Sequence, residues 1–189
     1  MKVLLGSKSP RRKELLSMLA IDFNVVSINC EEDYPVSMAN NDVAQYLSKK
    51  KSFSYNLQDN SELLITADTV VLVNNTILNK PKNRSQALNM LDMISGQTHQ
   101  VISGVTIRTN KKIISFSNVT DVTMDTIEFN EKNFYVDNYA ILDKAGGYGI
   151  QDWLGLSHVN SIKGCYYNVV GLPTNSVYKR LKNDFGYEL

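Results

Sequence analysis

The chain has few of the side chains that build histidine or cysteine sites, with two of each among 189 residues. Cys30 and Cys165 are far apart and fit no zinc-ligand spacing, which favours two ordinary thiols in a reducing compartment. His99 and His158 fall in strand-like segments without an i, i+4 partner, so neither a histidine metal site nor a Ser-His-Asp triad is expected. Carboxylates are therefore the candidates for any catalytic base or metal ligand.

The chain also lacks an excess of one charge and any long apolar run. It carries 20 Lys and Arg against 19 Asp and Glu, a net charge of +1, which provides no basic face for duplex DNA or an anionic membrane. No apolar run approaches the roughly 18 residues needed to span a bilayer. We expect a cytoplasmic protein that binds no nucleic-acid polymer and no membrane, and any polyanion it binds must be small.

Apolar periodicity predicts a mixed α/β fold with hairpins rather than a strict β-α-β alternation. The predicted strands lie at 3–5, 23–28, 63–73, 76–78, 101–107, 113–124, 158–162 and 166–170. Predicted helices begin at Pro10 with Ser9 as N-cap, cover 43–54 and 87–94, begin again at Asn130 as N-cap, and end the chain over 177–185.

Three cations crowd the first turn of the first predicted helix: Arg11, Arg12 and Lys13. The helix dipole makes each of them unfavourable there, so a compensating anion is expected. Backbone N–H groups, together with Ser7, Ser9 and the two guanidinium groups, could cradle a phosphate. A solvated basic turn is an equally good interpretation, because the segment is neither a Walker A loop nor G-x-G-x-x-G.

Asp68 interrupts the apolar strand predicted at 63–73. Aspartate is depleted in strands and rarely buried unless paired, so it needs a partner, which could be a metal, a lysine or a water. Apolar walls would raise its pKa toward that of a general base, and a nearby divalent cation would lower it again. The alternative is a bend at the strand end, with the carboxylate satisfied by backbone amides.

A glycine-rich segment runs from Asp143 to Gln151 and contains three glycines, which allow close approach of backbone to a ligand or simply an irregular turn. Lys80 precedes Pro81 and is therefore extended, whereas Lys51 lies on a helix flank. Taken singly, each lysine fits an ordinary solvated surface position.

Six strings in register resemble the Maf (septum formation inhibitor) family of nucleoside triphosphate pyrophosphatases. They are Ser7-Lys8-Ser9-Pro10-Arg11-Arg12, Ala67-Asp68-Thr69-Val70-Val71, Lys80-Pro81, Ser95-Gly96-Gln97-Thr98-His99, Asp143-Lys144-Ala145-Gly146 with Tyr148-Gly149-Ile150-Gln151, and Tyr167-Asn168-Val169-Val170-Gly171-Leu172-Pro173. The resemblance implies a single Maf-like domain over residues 1–189. It also implies an elongated, mixed-sheet α/β fold like that of inosine-triphosphatases, with helices flanking a central sheet and a cleft between two lobes.

The activity implied by the resemblance is hydrolysis of a nucleoside triphosphate to the monophosphate and pyrophosphate with a divalent cation, Mg²⁺ or Mn²⁺. The paired arginines after Ser-Pro and the closing glutamine resemble the branch acting on dTTP and UTP. By motif, Asp68 is the proton acceptor, and Ser7, Arg12, Lys51 and Lys80 contact phosphate. The branch-specific positions are Arg11, Thr69 and Gln151. Glu32 is the candidate metal ligand beside Asp68, with Glu31 a near alternative.

Base chemistry gives Gln151 an independent rationale. A glutamine amide can accept from N3–H of thymine or uracil while donating to a neighbouring carbonyl, whereas cytosine needs the opposite amide orientation. Discrimination therefore also requires a neighbour that holds the amide in place.

Ala140-Ile141 stand where the family usually has Glu-Pro, and the missing carboxylate keeps open a nucleotide-binding regulator of cell division with little or no hydrolysis. A third hypothesis is a pyrophosphatase for modified pyrimidine triphosphates. The sequence does not determine the oligomeric state, and a homodimer remains open.

Overall fold

A computed structural model describes residues 1–188. Seven strands are present in this range: Lys2–Leu5 (β1), Phe23–Val25 (β2), Glu62–Val73 (β3), Thr76–Leu78 (β4), Thr98–Arg108 (β5), Ile113–Met124 (β6) and Val159–Lys163 (β7). The α-helices there are Pro10–Met18 (α1), Val43–Phe53 (α2), Arg84–Ile94 (α3), Phe129–Asn138 (α4), Trp153–His158 (α5), Tyr166–Val170 (α6) and Thr174–Phe185 (α7). Short 3₁₀ turns cover Asn40–Asp42 and Ala145–Gly147.

The strands form one mixed sheet in the order β2-β1-β3-β5-β6-β7, with β4 paired to β3. β1 is parallel to both β2 and β3, whereas the β3–β4 and β6–β7 pairs are antiparallel. The predicted α/β class with a mixed sheet and flanking helices is confirmed. Among residues 1–188, no helix is long and apolar enough to cross a membrane.

The described chain divides into two compact units. The first unit comprises Met1–Asp68, Ser103–Asn118 and the segment from Gly171 onward, and the second comprises Thr69–Ile102 and Val119–Val170. Strands β3, β5 and β6 each contribute residues to both units.

In the first unit, α2 packs directly on β5. A Cβ added to Gly104 would lie 2.3 Å from the backbone of Ala44, so only glycine permits this approach. Two polar contacts accompany the packing: Ser48 Oγ lies 2.9 Å from Thr106 Oγ1, and Thr66 Oγ1 donates to the Ser48 carbonyl at 2.7 Å. The position of α2 on the sheet is therefore closely determined.

Several local predictions are confirmed because they depend on short-range chemistry. Ser9 caps α1 by accepting a hydrogen bond from the Arg12 N–H, and Pro10 opens the helix. Asn74 and Asn75 have φ of 47° and 60°, as a two-residue hairpin turn requires. Gly96, with φ of 66°, follows α3 as the predicted stop.

Other predictions are wrong. β2 ends at Val25 rather than at residue 28. Glu128, not Asn130, is the N-cap of α4, because Glu128 and Glu131 form a reciprocal capping box. His158 ends α5, and the strand begins one residue later.

The segment Tyr166–Val170 is a helix, although its aromatic and β-branched residues favour a strand. Asn168 and Val169 donate their N–H groups to the Cys165 carbonyl, which closes a helical turn. The Asn168 amide donates to the Val101 carbonyl at 2.9 Å and to Thr120 Oγ1 at 3.0 Å. These tertiary contacts stabilise the helical turn and override local propensity.

The close contact at Gly104 predicts that Gly104→Ala destabilises the protein by about 3 kcal/mol, because the α2 backbone must move away from β5. The control is Gly186→Ala, where an added Cβ meets nothing within 4 Å and the positive φ of 66° costs about 1 kcal/mol. Urea unfolding of both variants measures the difference, and equal losses would contradict the tight packing.

Candidate active site

Asp68 lies inside β3, only 6% exposed, and not at a strand-end bend. Its Oδ1 atom is 2.5 Å from Lys51 Nζ, so the partner found for this carboxylate is a lysine. The same ammonium lies 2.8 Å from Glu32 Oε1. One largely buried lysine therefore brings together two carboxylates that are distant in sequence.

Lys51 lies close to Asp68 because it shares the buried face of helix α2. Leu47 and Ser48 are buried, and Lys51 follows them by four and three residues, so it lies on the same face of the helix. Only 13% of its side chain is exposed. Lys51 also lies in the last turn of α2, where the helix dipole favours a cation. The solvated surface position considered from sequence is thus wrong for Lys51.

Arg12 connects α1 to the strand that carries Asp68. Its Nε donates to the Gly171 carbonyl at 2.9 Å and its Nη1 to the Ala67 carbonyl at 2.8 Å. Burial lowers the pKa of the Arg12 guanidinium, and the Asp68 carboxylate opposes that shift. Arg12 therefore helps to hold the residue next to Asp68, in addition to any contact with a ligand.

The turn before α1 is organised by serine side chains. Ser9 N–H donates to Ser7 Oγ at 3.2 Å, and Arg12 Nη1 donates to the same oxygen at 3.4 Å. Arg11 is half-buried in the first turn of α1, close enough to lower the pKa of Arg12. The first unit thus holds six of the predicted site residues: Ser7, Arg11, Arg12, Glu32, Lys51 and Asp68.

Thr69, Lys80 and Gln151, the remaining predicted residues, belong to the second unit. Lys80 and Gln151 are both exposed. The Gly146 N–H donates to the Asn79 carbonyl at 3.1 Å, so the segment that carries Gln151 is joined to the residue next to Lys80. The side-chain amide of Gln151 has no hydrogen-bond partner within residues 1–188.

The sequence did not single out the residues that hold the glycine-rich segment. His99 Nε2 lies 2.7 Å from Tyr148 Oη, with the rings edge-on and both residues buried. Tyr135 Oη accepts from the Gly149 N–H at 3.0 Å and donates to Asp152 Oδ2 at 2.8 Å. His99 appeared only as the end of a motif, and nothing local marked Tyr135, which reads as an ordinary apolar position of α4.

Two observations bear on the expected divalent cation. Glu32 and Asp68 both contact the Lys51 ammonium, so their oxygens converge on one cationic group, and carboxylate oxygens suit Mg²⁺. No set of three His, Cys, Asp or Glu within residues 1–188 could hold a metal ion alone. The donor set fits a cation that also takes oxygens from a ligand. Glu31 is exposed, and its carboxylate has no polar partner in the described chain, so Glu32 is the better placed of the two.

The structure is that of a mixed α/β protein with a lysine-paired aspartate in a central strand of its sheet. The family described as Maf-like protein matches residues 2–184. The chain belongs to this family, which confirms the resemblance seen in the sequence.

Relatives named dTTP/UTP pyrophosphatase align over nearly the whole chain. The protein from Bacteroides thetaiotaomicron is 42% identical over 96% of this chain and 95% of its own length. The Porphyromonas gingivalis protein is 44% identical over 98% of this chain and 94% of its own. The Parabacteroides distasonis protein is 44% identical over 96% and 95%.

A solved structure of the Staphylococcus aureus Ham1 protein aligns at a TM-score of 0.47 and 12% identity, covering 66% of this chain and 72% of that one. This likeness adds nothing to the family assignment.

Burial of His99 predicts a pH-dependent stability. Desolvation lowers the pKa of His99 from 6.5 to about 4. Between these two pH values, His99 is protonated in the unfolded chain but neutral in the folded protein. The contribution of neutral His99 to the free energy of unfolding is complete above pH 6.5 and is lost as the pH falls toward 4. Between pH 7 and pH 5, we expect a loss of about 2 kcal/mol that His99→Gln does not show. Urea unfolding at both pH values measures this loss, and an equal loss of unfolding free energy in the wild-type protein and in His99→Gln would refute the prediction.

Proposed function

We propose that the protein hydrolyses dTTP and UTP to the monophosphate and pyrophosphate. The observation that carries the proposal is the buried Asp68, paired through Lys51 with Glu32, in a chain whose aligned relatives are named for this activity. Asp68 lies in the middle of the apolar strand β3, whereas the other carboxylate of this strand, Glu62, is its first residue and pairs with Lys2.

In the proposed reaction, Asp68 accepts a proton from the attacking water. The ion pair of Oδ1 with Lys51 orients the carboxylate, and Arg12 holds the preceding carbonyl of Ala67. These contacts fix the base before substrate arrives, which avoids reorganisation during the reaction.

Lys51 has a second proposed role, as a contact to phosphate. An ammonium has three N–H donors, and two of them face Asp68 and Glu32. The third remains for a phosphate oxygen. Ser7, Arg12 and Lys80 are the other proposed phosphate contacts. The three cations among these residues, Lys51, Arg12 and Lys80, would offset the charge of a triphosphate.

Glu32 and Asp68 are the residues we propose to hold a divalent cation, Mg²⁺ or Mn²⁺, with phosphate oxygens completing its coordination. Such a cation would neutralise charge on the phosphates of the substrate.

The proposed base reader is Gln151, with Arg11 and Thr69 at the other positions that determine specificity. Because the Gln151 amide has no partner in residues 1–188, both its donor and its acceptor remain for a uracil or thymine edge. Modified pyrimidine triphosphates with the same edge are equally compatible. We extend the proposal to a cytoplasmic enzyme without nucleic-acid or membrane partners, consistent with the net charge of +1.

One observation favours a second function, that of a regulator that binds a nucleotide without hydrolysing it. Ala140 supplies no carboxylate where the family usually has glutamate. In the structure, the Lys144 ammonium donates to the backbone carbonyl of Ala140, so the loop is held without that side chain.

A substrate panel tests the proposed function. We expect pyrophosphate release from dTTP and UTP with Mg²⁺ or Mn²⁺, and slower release from CTP and the purine triphosphates, because only the first two match the Gln151 amide. Binding is measured alongside by calorimetry. Affinity without any release would support the regulator, and high activity restricted to 5-substituted pyrimidines would identify a different substrate.

Asp68→Asn is expected to lower kcat by at least about 100-fold, since an amide cannot accept the proton, while nucleotide affinity changes little. The matched control is Asp33→Asn. Asp33 is an exposed aspartate that pairs with Lys50, the residue before Lys51 in α2, so the substitution removes a similar ion pair away from Asp68. This control should keep wild-type kcat. Equal loss of binding and turnover in Asp68→Asn would make Asp68 structural.

A further inference from the structure

A largely buried polar cluster lies at the glycine-rich segment of the second unit, and the reaction proposed above does not use it. We define this cluster, the loop anchor, as Tyr135, Lys144 and Asp152. All three belong to the second unit, as does Gln151.

Tyr135 is the centre of the loop anchor. Its hydroxyl is fully buried, donates to Asp152 Oδ2 at 2.8 Å and accepts from the Gly149 N–H at 3.0 Å. Burial raises the pKa of Tyr135 well above its ordinary value of 10, so the hydroxyl keeps its proton at working pH. A single side chain thus satisfies one group on each side of Gln151.

Lys144 completes the cluster from the other end of the segment. Its ammonium lies 3.3 Å from Asp152 Oδ2 and also donates to the Ala140 carbonyl. A Cβ on Gly149 would stand 2.7 Å from Asp152 Oδ2 and 2.9 Å from Lys144 Cε, so any side chain there would displace these two groups.

The loop anchor brackets Gln151 in the chain. Gly149 comes two residues before it and Asp152 directly after it, and the Asp152 N–H donates to the Gly149 carbonyl at 3.0 Å. Ile150 is buried, whereas Gln151 is exposed. No described side chain holds the Gln151 amide, so the position of this side chain relative to a bound base depends on the turn of backbone that carries it.

We propose that Tyr135, with Asp152, is a positioning residue that sets base discrimination by fixing the turn that presents Gln151. The proposal rests on the proposed function, because it assigns Gln151 to the base. Tyr135 acts on the backbone on either side of Gln151 and does not contact the Gln151 amide itself. Loosening the turn would move Gln151 away from the edge of the base, so its hydrogen bonds to uracil weaken and the preference over cytosine falls.

The test measures preference for uracil over cytosine in two ways. One is the ratio of kcat/KM for UTP to that for CTP, and the other is the ratio of the Kd of the non-hydrolysable α,β-methylene analogue of CTP to the Kd of the same analogue of UTP. Tyr135→Phe should lower both ratios by about tenfold, toward those of Gln151→Ala, with kcat for UTP changed less than the ratio. The matched control is Tyr139→Phe. Tyr139 stacks on Tyr135 with ring centroids 5.0 Å apart, but its hydroxyl has no partner among the described residues, so both ratios should stay at wild-type values.

Two further variants keep the test decisive if Tyr135→Phe folds poorly. Asp152→Ala removes the acceptor at the other end and should lower the ratios equally, whereas Asp152→Asn keeps an oxygen for the Tyr135 hydroxyl and should restore most of them. Wild-type ratios in both Tyr135→Phe and Asp152→Ala would overturn the positioning role. A wild-type protein that releases no pyrophosphate would instead refute the proposed function, and the Kd ratios would still decide the role of Tyr135.

Discussion

The contact between Lys51 and Asp68 is the constraint on which the first unit depends. A carboxylate in an apolar strand is costly unless an opposite charge meets it, and removing one partner of such a buried pair typically costs about 3–5 kcal/mol. The lysine arrives only if α2 lies close to the sheet, which the bare Gly104 and the Ser48–Thr106 contact allow. Helix packing and charge pairing are therefore linked, because the position of α2 on the sheet brings Lys51 within reach of Asp68.

The second unit follows the same rule with different chemistry. The glycine-rich segment is irregular, so its backbone N–H groups are not paired with a neighbouring strand. Backbone carbonyls accept from Gly146, Gly147 and Asp152, and a buried side chain accepts from Gly149. Tyr135 supplies an acceptor to Gly149, and His99 meets the hydroxyl of Tyr148. An exposed residue such as Gln151 can be presented in a defined direction only because its neighbours are held in this way. The cost is a set of buried polar groups that each need a partner.

The site residues differ in how readily they could be recognised from the sequence. Asp68 was visible because it breaks an apolar run, and Arg11 and Arg12 because they oppose a helix dipole. Tyr135 breaks no local rule, since an aromatic residue on the buried face of a helix is ordinary, and only its hydroxyl contacts distinguish it. Lys51 was equally inconspicuous until α2 was placed on the sheet. Local violations of propensity reveal a functional residue only when the function requires the violation.

The sequence by itself determined the elements whose causes are short-range: the Ser9 cap, the Asn74-Asn75 turn, the stop at Gly96 and the long apolar strands. It also determined the family, through motifs spread over the chain. Only the tertiary structure decided that Asp68 pairs with Lys51, that Tyr166–Val170 is helical and that Tyr135 holds the turn before Gln151. The physical reason is that each of these depends on contacts between residues far apart in the chain. Such contacts add free energies as large as the local preferences that they reverse.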